Sequence, residues 1–268
     1  MNISCKKISC MLFAVAMFFM FGSSAFALEC IHMTNANGID ITETEYNNLL
    51  NLGFTDNEIQ YMTIDEFLAN KDLIGEIVAQ EVSYENNSNF INPFSYQPGY
   101  AATTTREVTT TIVSVSDRYR YKVSVNWLQI PSNRSHDIIG IGIDTNVKIF
   151  GNLTYFQQNF CYSASNCSSS GTYNERVSST GASATYQLPS ASLVSMNSYF
   201  YFGIEKNTTS TITQLNAYGD FAHAMTTVSL SNAYTNHLIS RGGLVLNSNI
   251  SSYYDSIDTA KAVWIGSW

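Results

Sequence analysis

Apolar and polar positions along this 268-residue chain change their spacing twice. Met11 to Gly22 is an unbroken apolar run, preceded by Lys6 and Lys7 and followed by Ala25-Phe26-Ala27, a small-x-small cleavage site. This is the layout of a secretory signal peptide. The run is too short to cross a hydrocarbon layer of about 30 Å as a helix, so an exported chain beginning near Leu28 is expected. From residue 42 the pattern is helical. Thr42 with Glu45, Thr55 with Glu58 and Thr63 with Glu66 each set Thr at an N-cap and Glu three residues later. Side chain and backbone can then satisfy each other's free donors, so three short helices are predicted. Phe54 with Ile59 and Met62 with Phe67 add hydrophobic staples, and Gly53 is placed to end the first helix in a left-handed conformation. Leu73, Ile74, Ile77, Val78 and Val82 recur at helical spacing and predict a fourth helix over Lys71–Val82. Glu85 to Thr105, with Asn86, Asn87, Asn89, Pro93, Pro98 and Gly99 among aromatics, has no period and reads as a linker.

From Arg106 onward the spacing becomes two. Tyr119, Tyr121, Val123, Val125 and Trp127 alternate with Arg120, Lys122, Ser124 and Asn126, which predicts a strand with the apolar set inward and the polar set in water. Further strands are predicted at 107–116, 138–143, 147–162, 182–188, 198–204, 210–216, 238–246 and 262–268. The expected fold is α+β: a signal peptide at 1–27, an acidic short-helix segment at 28–84, a linker at 85–105 and a mainly antiparallel β-sandwich-like domain at 106–268.

Charge sharpens this division. Loss of the leader takes the formal net charge from -8 to -10, and Leu28 to Tyr100 holds twelve acids against the single base Lys71. Nucleic acid is excluded as a partner, because phosphate binding needs clustered Lys and Arg and the chain has no such cluster. No transmembrane anchor is expected in the mature chain. Of five cysteines, Cys5 and Cys10 leave with the leader. Cys161 and Cys167 can close a short disulfide loop worth about 2 kcal/mol by chain entropy. Cys30 is then left over, and Glu29 before it departs from the small residue that lipid attachment needs.

Two stretches carry candidate chemistry: a polar turn displaying Arg134, His136 and Asp137, and Tyr218 to Met225 with Asp220 and His223 at a strand exit. A hydrolase would use His136 or His223 as base beside Asp137 or Asp220, but no Gly-x-Ser-x-Gly elbow marks a nucleophile. No His-x-x-x-His or Cys-x-x-Cys spacing is present, so neither a metal site nor a cofactor is expected. The structural alternative pairs Arg134 with Asp137 across its turn. Tyr199, Tyr201, Tyr253 and Tyr254 are candidate aromatic contacts for a sugar-like ligand. Ser178 to Gln187, uncharged and rich in hydroxyls, has the composition of a surface or membrane-insertion hairpin.

The segments YNNLLNLGFTDNEIQYMT, WLQIPSNRSHDIIGIGI and YGDFAHAM resemble uncharacterised secreted proteins of Gram-positive bacteria. The resemblance implies export and one β domain behind a helical preface, and it implies no activity. The role that fits these observations is non-enzymatic recognition of an extracellular or cell-surface ligand. A secreted antibacterial or toxin-like protein with a helical masking segment is the alternative, and a hydrolase is third. N-terminal sequencing of the exported protein is expected to begin at Leu28; a chain still carrying Met11–Gly22 would refute the leader assignment.

Overall fold

A computed structural model describes residues 31–83, 105–256 and 259–268. The signal peptide, Cys30 and residues 84–104 lie outside the described residues. Two six-stranded antiparallel sheets face each other. The first is ordered β3 (Gly75–Ser83), β4 (Arg106–Val115), β5 (Arg118–Trp127), β11 (Ser195–Lys206), β7 (Val147–Ser163), β8 (Asn166–Ser170). In the second, β12 (Gln214–Ala224) pairs with β15 (Tyr254–Ser256) and β16 (Ala260–Ile265) on one side and continues through β6 (His136–Ile143) and β10 (Gly181–Gln187) to β9 (Asn174–Ser178). Short ribbons β1–β2 (Ile31–Thr34, Asp40–Thr42) and β13–β14 (His237–Ser240, Gly243–Leu246) complete the strands.

Alternation explains the main core. Tyr121, Val123 and Val125 of β5, Phe200 and Phe202 of β11, Ile139 and Ile141 of β6 and Phe221 of β12 all project between the sheets. The predicted capping threonines begin α1 (Glu43–Asn51), α2 (Asp56–Gln60) and α3 (Ile64–Asn70), and each accepts from the backbone N–H of its Glu. Reciprocal capping boxes form at Thr42 and Thr55. These helices lie on the outer face of the first sheet, where Leu49, Leu52, Phe54, Ile59, Met62 and Phe67 make a second core with Val113, Tyr199 and Tyr201.

Residues 75–83 are a strand, not the predicted helix over Lys71–Val82. β3 pairs with β4 from Gly75 opposite Val115 to Ser83 opposite Val108, with a bulge between Ile77 and Ala79. β-branched Ile77, Val78 and Val82 suit a pleated edge, and the bulge breaks the two-residue period that would have marked a strand. A Cβ on Gly75 would meet the Leu52 side chain and the Ser114 carbonyl. Residues 210–213 are likewise outside β12, which runs on through Ala224, so Asp220 and His223 lie within a strand and not at its exit. β10 is an interior strand, buried from Gly181 to Tyr186, and not a surface or insertion hairpin. The 226–230 stretch leads into a fourth helix, α4 (Leu230–Thr235), which the sequence pattern did not indicate.

The polar side of β5 is the largest departure. Arg120 and Lys122 are buried under the helices instead of facing water, and Tyr199 and Tyr201 are covered with them. Lys122 Nζ pairs with Glu58 Oε2 at 2.6 Å and donates to the Gly53 carbonyl at 2.7 Å. Removing one partner of a buried pair leaves an uncompensated charge, so Glu58→Ala is expected to destabilise the fold by about 3–5 kcal/mol. Adding Lys122→Met to Glu58→Gln should recover most of that loss in urea unfolding. A double variant no more stable than Glu58→Ala would refute this role.

Candidate functional site

The strand pairing joins the two stretches singled out in the sequence. The β6–β12 ladder ends with Ala222 opposite Ile138, which sets Asp137 beside His223. His223 Nδ1 lies 3.1 Å from both carboxylate oxygens of Asp137, and the Ala224 N–H donates to Asp137 Oδ1 at 2.9 Å. Asp137 is fully buried, and desolvation raises its pKa against the opposing effects of His223, the Ala224 N–H and Arg106. Trp127 packs edge-on to His223 with ring centroids 4.9 Å apart, and Arg106 pairs with Asp255 at 3.0 Å. This network closes one end of the inner core.

The other candidate residues hold backbone. Arg134 donates to the carbonyls of Pro131 and Pro189, so it does not pair with Asp137. His136 Nδ1 is 2.8 Å from the Val228 carbonyl. Asp220 accepts from the N–H groups of Phe221 and Leu244 and from the Thr259 hydroxyl, which ties β12 to β14. Tyr254 is buried and donates to the His136 carbonyl, whereas Tyr253 remains exposed. Cys161 and Cys167 face each other across β7–β8 and form the expected disulfide. His237 is buried on β13. Its Nδ1 must donate to the Ala233 carbonyl at 2.8 Å, so Nε2 accepts from the Ser183 hydroxyl at 2.7 Å. Burial lowers the His237 pKa and favours this neutral form.

A cavity of about 640 Å³ lies elsewhere, at the open margin of the helical layer. Its floor is the outer face of β5 and β11, and its walls are the end of α3, the β4–β5 turn and a bulge in β7. Val115 pairs with Arg118, which leaves a two-residue turn in which Ser116 takes a positive φ of 56°. Thr154 of β7 pairs with Phe202 and Ile149 pairs with Ile204, so residues 150–153 loop out opposite Gly203 alone. Bulges of this kind recur beside functional sites because they redirect side chains. Here Leu153 is put at the mouth, 69% exposed, and Phe150 lies under the Arg118 guanidinium, 3.7 Å from Cζ to the ring centroid.

Arg120 forms part of the floor. It is 8% exposed, donates through Nη2 to Asn70 Oδ1 at 2.7 Å and lies over the Tyr201 ring at 4.6 Å. Its Nη1 has no hydrogen-bond partner. Gly203, directly opposite Arg120 in the β5–β11 ladder, leaves the space beside the guanidinium open. Behind Arg120, Glu66 accepts a 2.6 Å bond from the Tyr199 hydroxyl, and burial pushes its pKa up to about 8. Burial therefore favours the protonated form of Glu66 at neutral pH. Arg120 reads in the sequence as one polar residue of an alternating strand, and only the covering helices distinguish it.

No family model matches the chain, and no curated protein matches it. Among solved structures it is similar to the pilus backbone (RrgB) from Streptococcus pneumoniae, at 9% identity and a TM-score of 0.31, over 70% of this chain. This chain spans 47% of that one. Among the described residues no helix is long and apolar enough to cross a membrane.

Glu66 generates a pH dependence of stability. Its pKa is raised from 4.5 to about 8 in the folded state. As pH rises through this interval the unfolded state loses its proton first, so stability falls. Glu66→Gln should flatten the slope between pH 5 and 8 in chemical denaturation; an unchanged slope would refute a protonated Glu66.

Proposed function

We propose that this chain is an exported β domain that acts outside the cell by binding a partner, and that the cavity at Arg120 is its recognition site. The carrying observation is a buried arginine, with no carboxylate partner among the described residues, lining a cavity of about 640 Å³ beside a β-bulge. The leader in the sequence and the Cys161–Cys167 disulfide support an oxidising, extracellular setting. The histidines of the candidate turns are engaged in structural bonds, which favours binding over hydrolysis. Glu58 and β3 hold residues 31–83 against the first sheet through a buried ion pair and a full strand ladder. These attachments favour a permanent helical layer over a removable mask.

Gly203→Leu tests the site. A Cβ there meets nothing nearer than the Phe150 Cβ at 3.6 Å, so the backbone tolerates the change while the side chain fills the space beside Arg120. Bacterial cells incubated with wild type are expected to retain at least about tenfold more protein than cells given the variant, with Tm and viable counts unchanged. Equal retention of the two proteins would overturn the cavity as the recognition site, and killing by the wild type would favour a toxin-like role.

A further inference from the structure

The geometry points to a ligand carrying a single carboxylate on an apolar body, bound with the carboxylate on Arg120; this inference rests on the cavity reading above. Three cations are buried among the described residues: Arg106, Arg120 and Lys122. Arg106 has Asp255 at 3.0 Å and Lys122 has Glu58 at 2.6 Å. Arg120 has no carboxylate within ion-pair distance among the described residues, and its polar partner is the neutral Asn70 amide. A charge withdrawn from water is strongly unfavourable until an opposite charge meets it. The fold supplies that charge at two of the three positions and supplies a cavity at the third.

The chemistry of the walls narrows the anion. With Nη2 already held by the neutral Asn70 amide, the planar guanidinium still lacks an anionic partner, and its geometry suits a carboxylate. A second cation, Arg118, stands at the rim but is stacked on Phe150 and lies beside Asp117. Asp117 opposes a dianion such as phosphate. The aromatic ring of Tyr155 and the side chains of Leu73 and Leu153 line the rest of the cavity, and they fit a hydrocarbon or aryl group, not a sugar rich in hydroxyls. The bound form therefore places the carboxylate against the Arg120 side chain at the floor and the apolar body outward past Leu153. Glu66 stays behind the ring of Tyr199 and takes no part in the contact. The surrounding rings lower the local dielectric and strengthen the charge pair.

The test uses the mature chain from Leu28 and a matched pair of probes, 4-phenylbutyrate and its neutral amide, with binding read by titration calorimetry and by tryptophan fluorescence. The carboxylate is expected to bind about ten- to a hundredfold more tightly than the amide. Arg120→Met, which keeps the bulk of the side chain and removes its charge, should abolish that preference without lowering Tm, and Gly203→Leu should weaken both probes. Equal binding of acid and amide, or a preference that survives Arg120→Met, would overturn the carboxylate assignment while the cavity reading stands. Tighter binding of inorganic phosphate than of phenylbutyrate would overturn it in favour of a dianion. Failure of every probe, together with cell retention unaffected by Gly203→Leu, would overturn both.

Discussion

The pairing of Lys122 with Glu58 is the constraint on which the arrangement of helices and sheet depends. β5 must turn Tyr121, Val123 and Val125 inward, and strand geometry then forces Arg120, Lys122 and Ser124 outward onto one strip. An ammonium that is 2% exposed needs a carboxylate held against it. Glu58 is already fixed, because its Oε2 accepts the Thr55 backbone N–H at 2.7 Å as part of a capping box. The same carboxyl group also accepts from the Ser124 hydroxyl at 2.9 Å. Local helix initiation and long-range docking therefore share one side chain, and α2 cannot slide along the sheet without breaking its own cap. The neighbouring helices follow, with Asn70 of α3 bridging the Tyr201 hydroxyl and Arg120.

The strip has two ends with different electrostatics. At Lys122 the charges are matched and the surroundings closed. At Arg120, two residues away on the same face, the nearest acid is a glutamate whose burial favours its protonated form, and the neighbouring strand position is a glycine. A sheet face that served stability alone would place a carboxylate or an apolar side chain there. The β7 bulge and the missing side chain at Gly203 instead keep volume open beside a charged group.

Local grammar made much of this fold legible in the sequence. Capping boxes mark helices through contacts only three residues apart, and the alternation from Tyr119 to Trp127 marks β5 in the same way. The nearness of Cys161 and Cys167 also anticipates their hairpin disulfide. What escaped depends on partners distant in the chain. β3 shares its apolar spacing with a helix, and its state is decided by the open edge of β4, to which it adds. The polar strip of β5 has the pattern of a solvent face, and only the second core built from Leu49, Phe54, Met62 and Phe67 turns it into an interface. Burial of Tyr199 and Tyr201 has the same origin, since a β-sheet with both faces covered no longer exposes either half of an alternating row. The cavity could not be read at all, because a helix end, a turn, a bulge and a stretch of β11, from four regions of the chain, meet there.

The histidines illustrate how conspicuous residues can serve the fold while an ordinary one is left free. Asp137 and His223 have the pairing of a catalytic acid and base, yet they are sealed behind Trp127 at the end of the core, where the carboxylate also fixes the Ala224 N–H. His136 and His237 are both oriented by backbone carbonyls. The second nitrogen of His237 is taken by Ser183, on a strand flanked by β6 and β9 and covered by the β13–β14 ribbon. That ribbon approaches so closely that a side chain at Gly142 would overlap the Ser240 carbonyl. Groups with both ring nitrogens or both carboxylate oxygens engaged in such contacts cannot exchange partners without opening the layer above them. Arg120 differs in its surroundings: its fixed bond to Asn70 holds the guanidinium plane in place, and the residue lines a cavity. Preorganisation of this kind, with the donor oriented before the acceptor arrives, limits the ordering required on binding. On this ground the proposed recognition site is placed at Arg120 and not at the histidine-bearing turns.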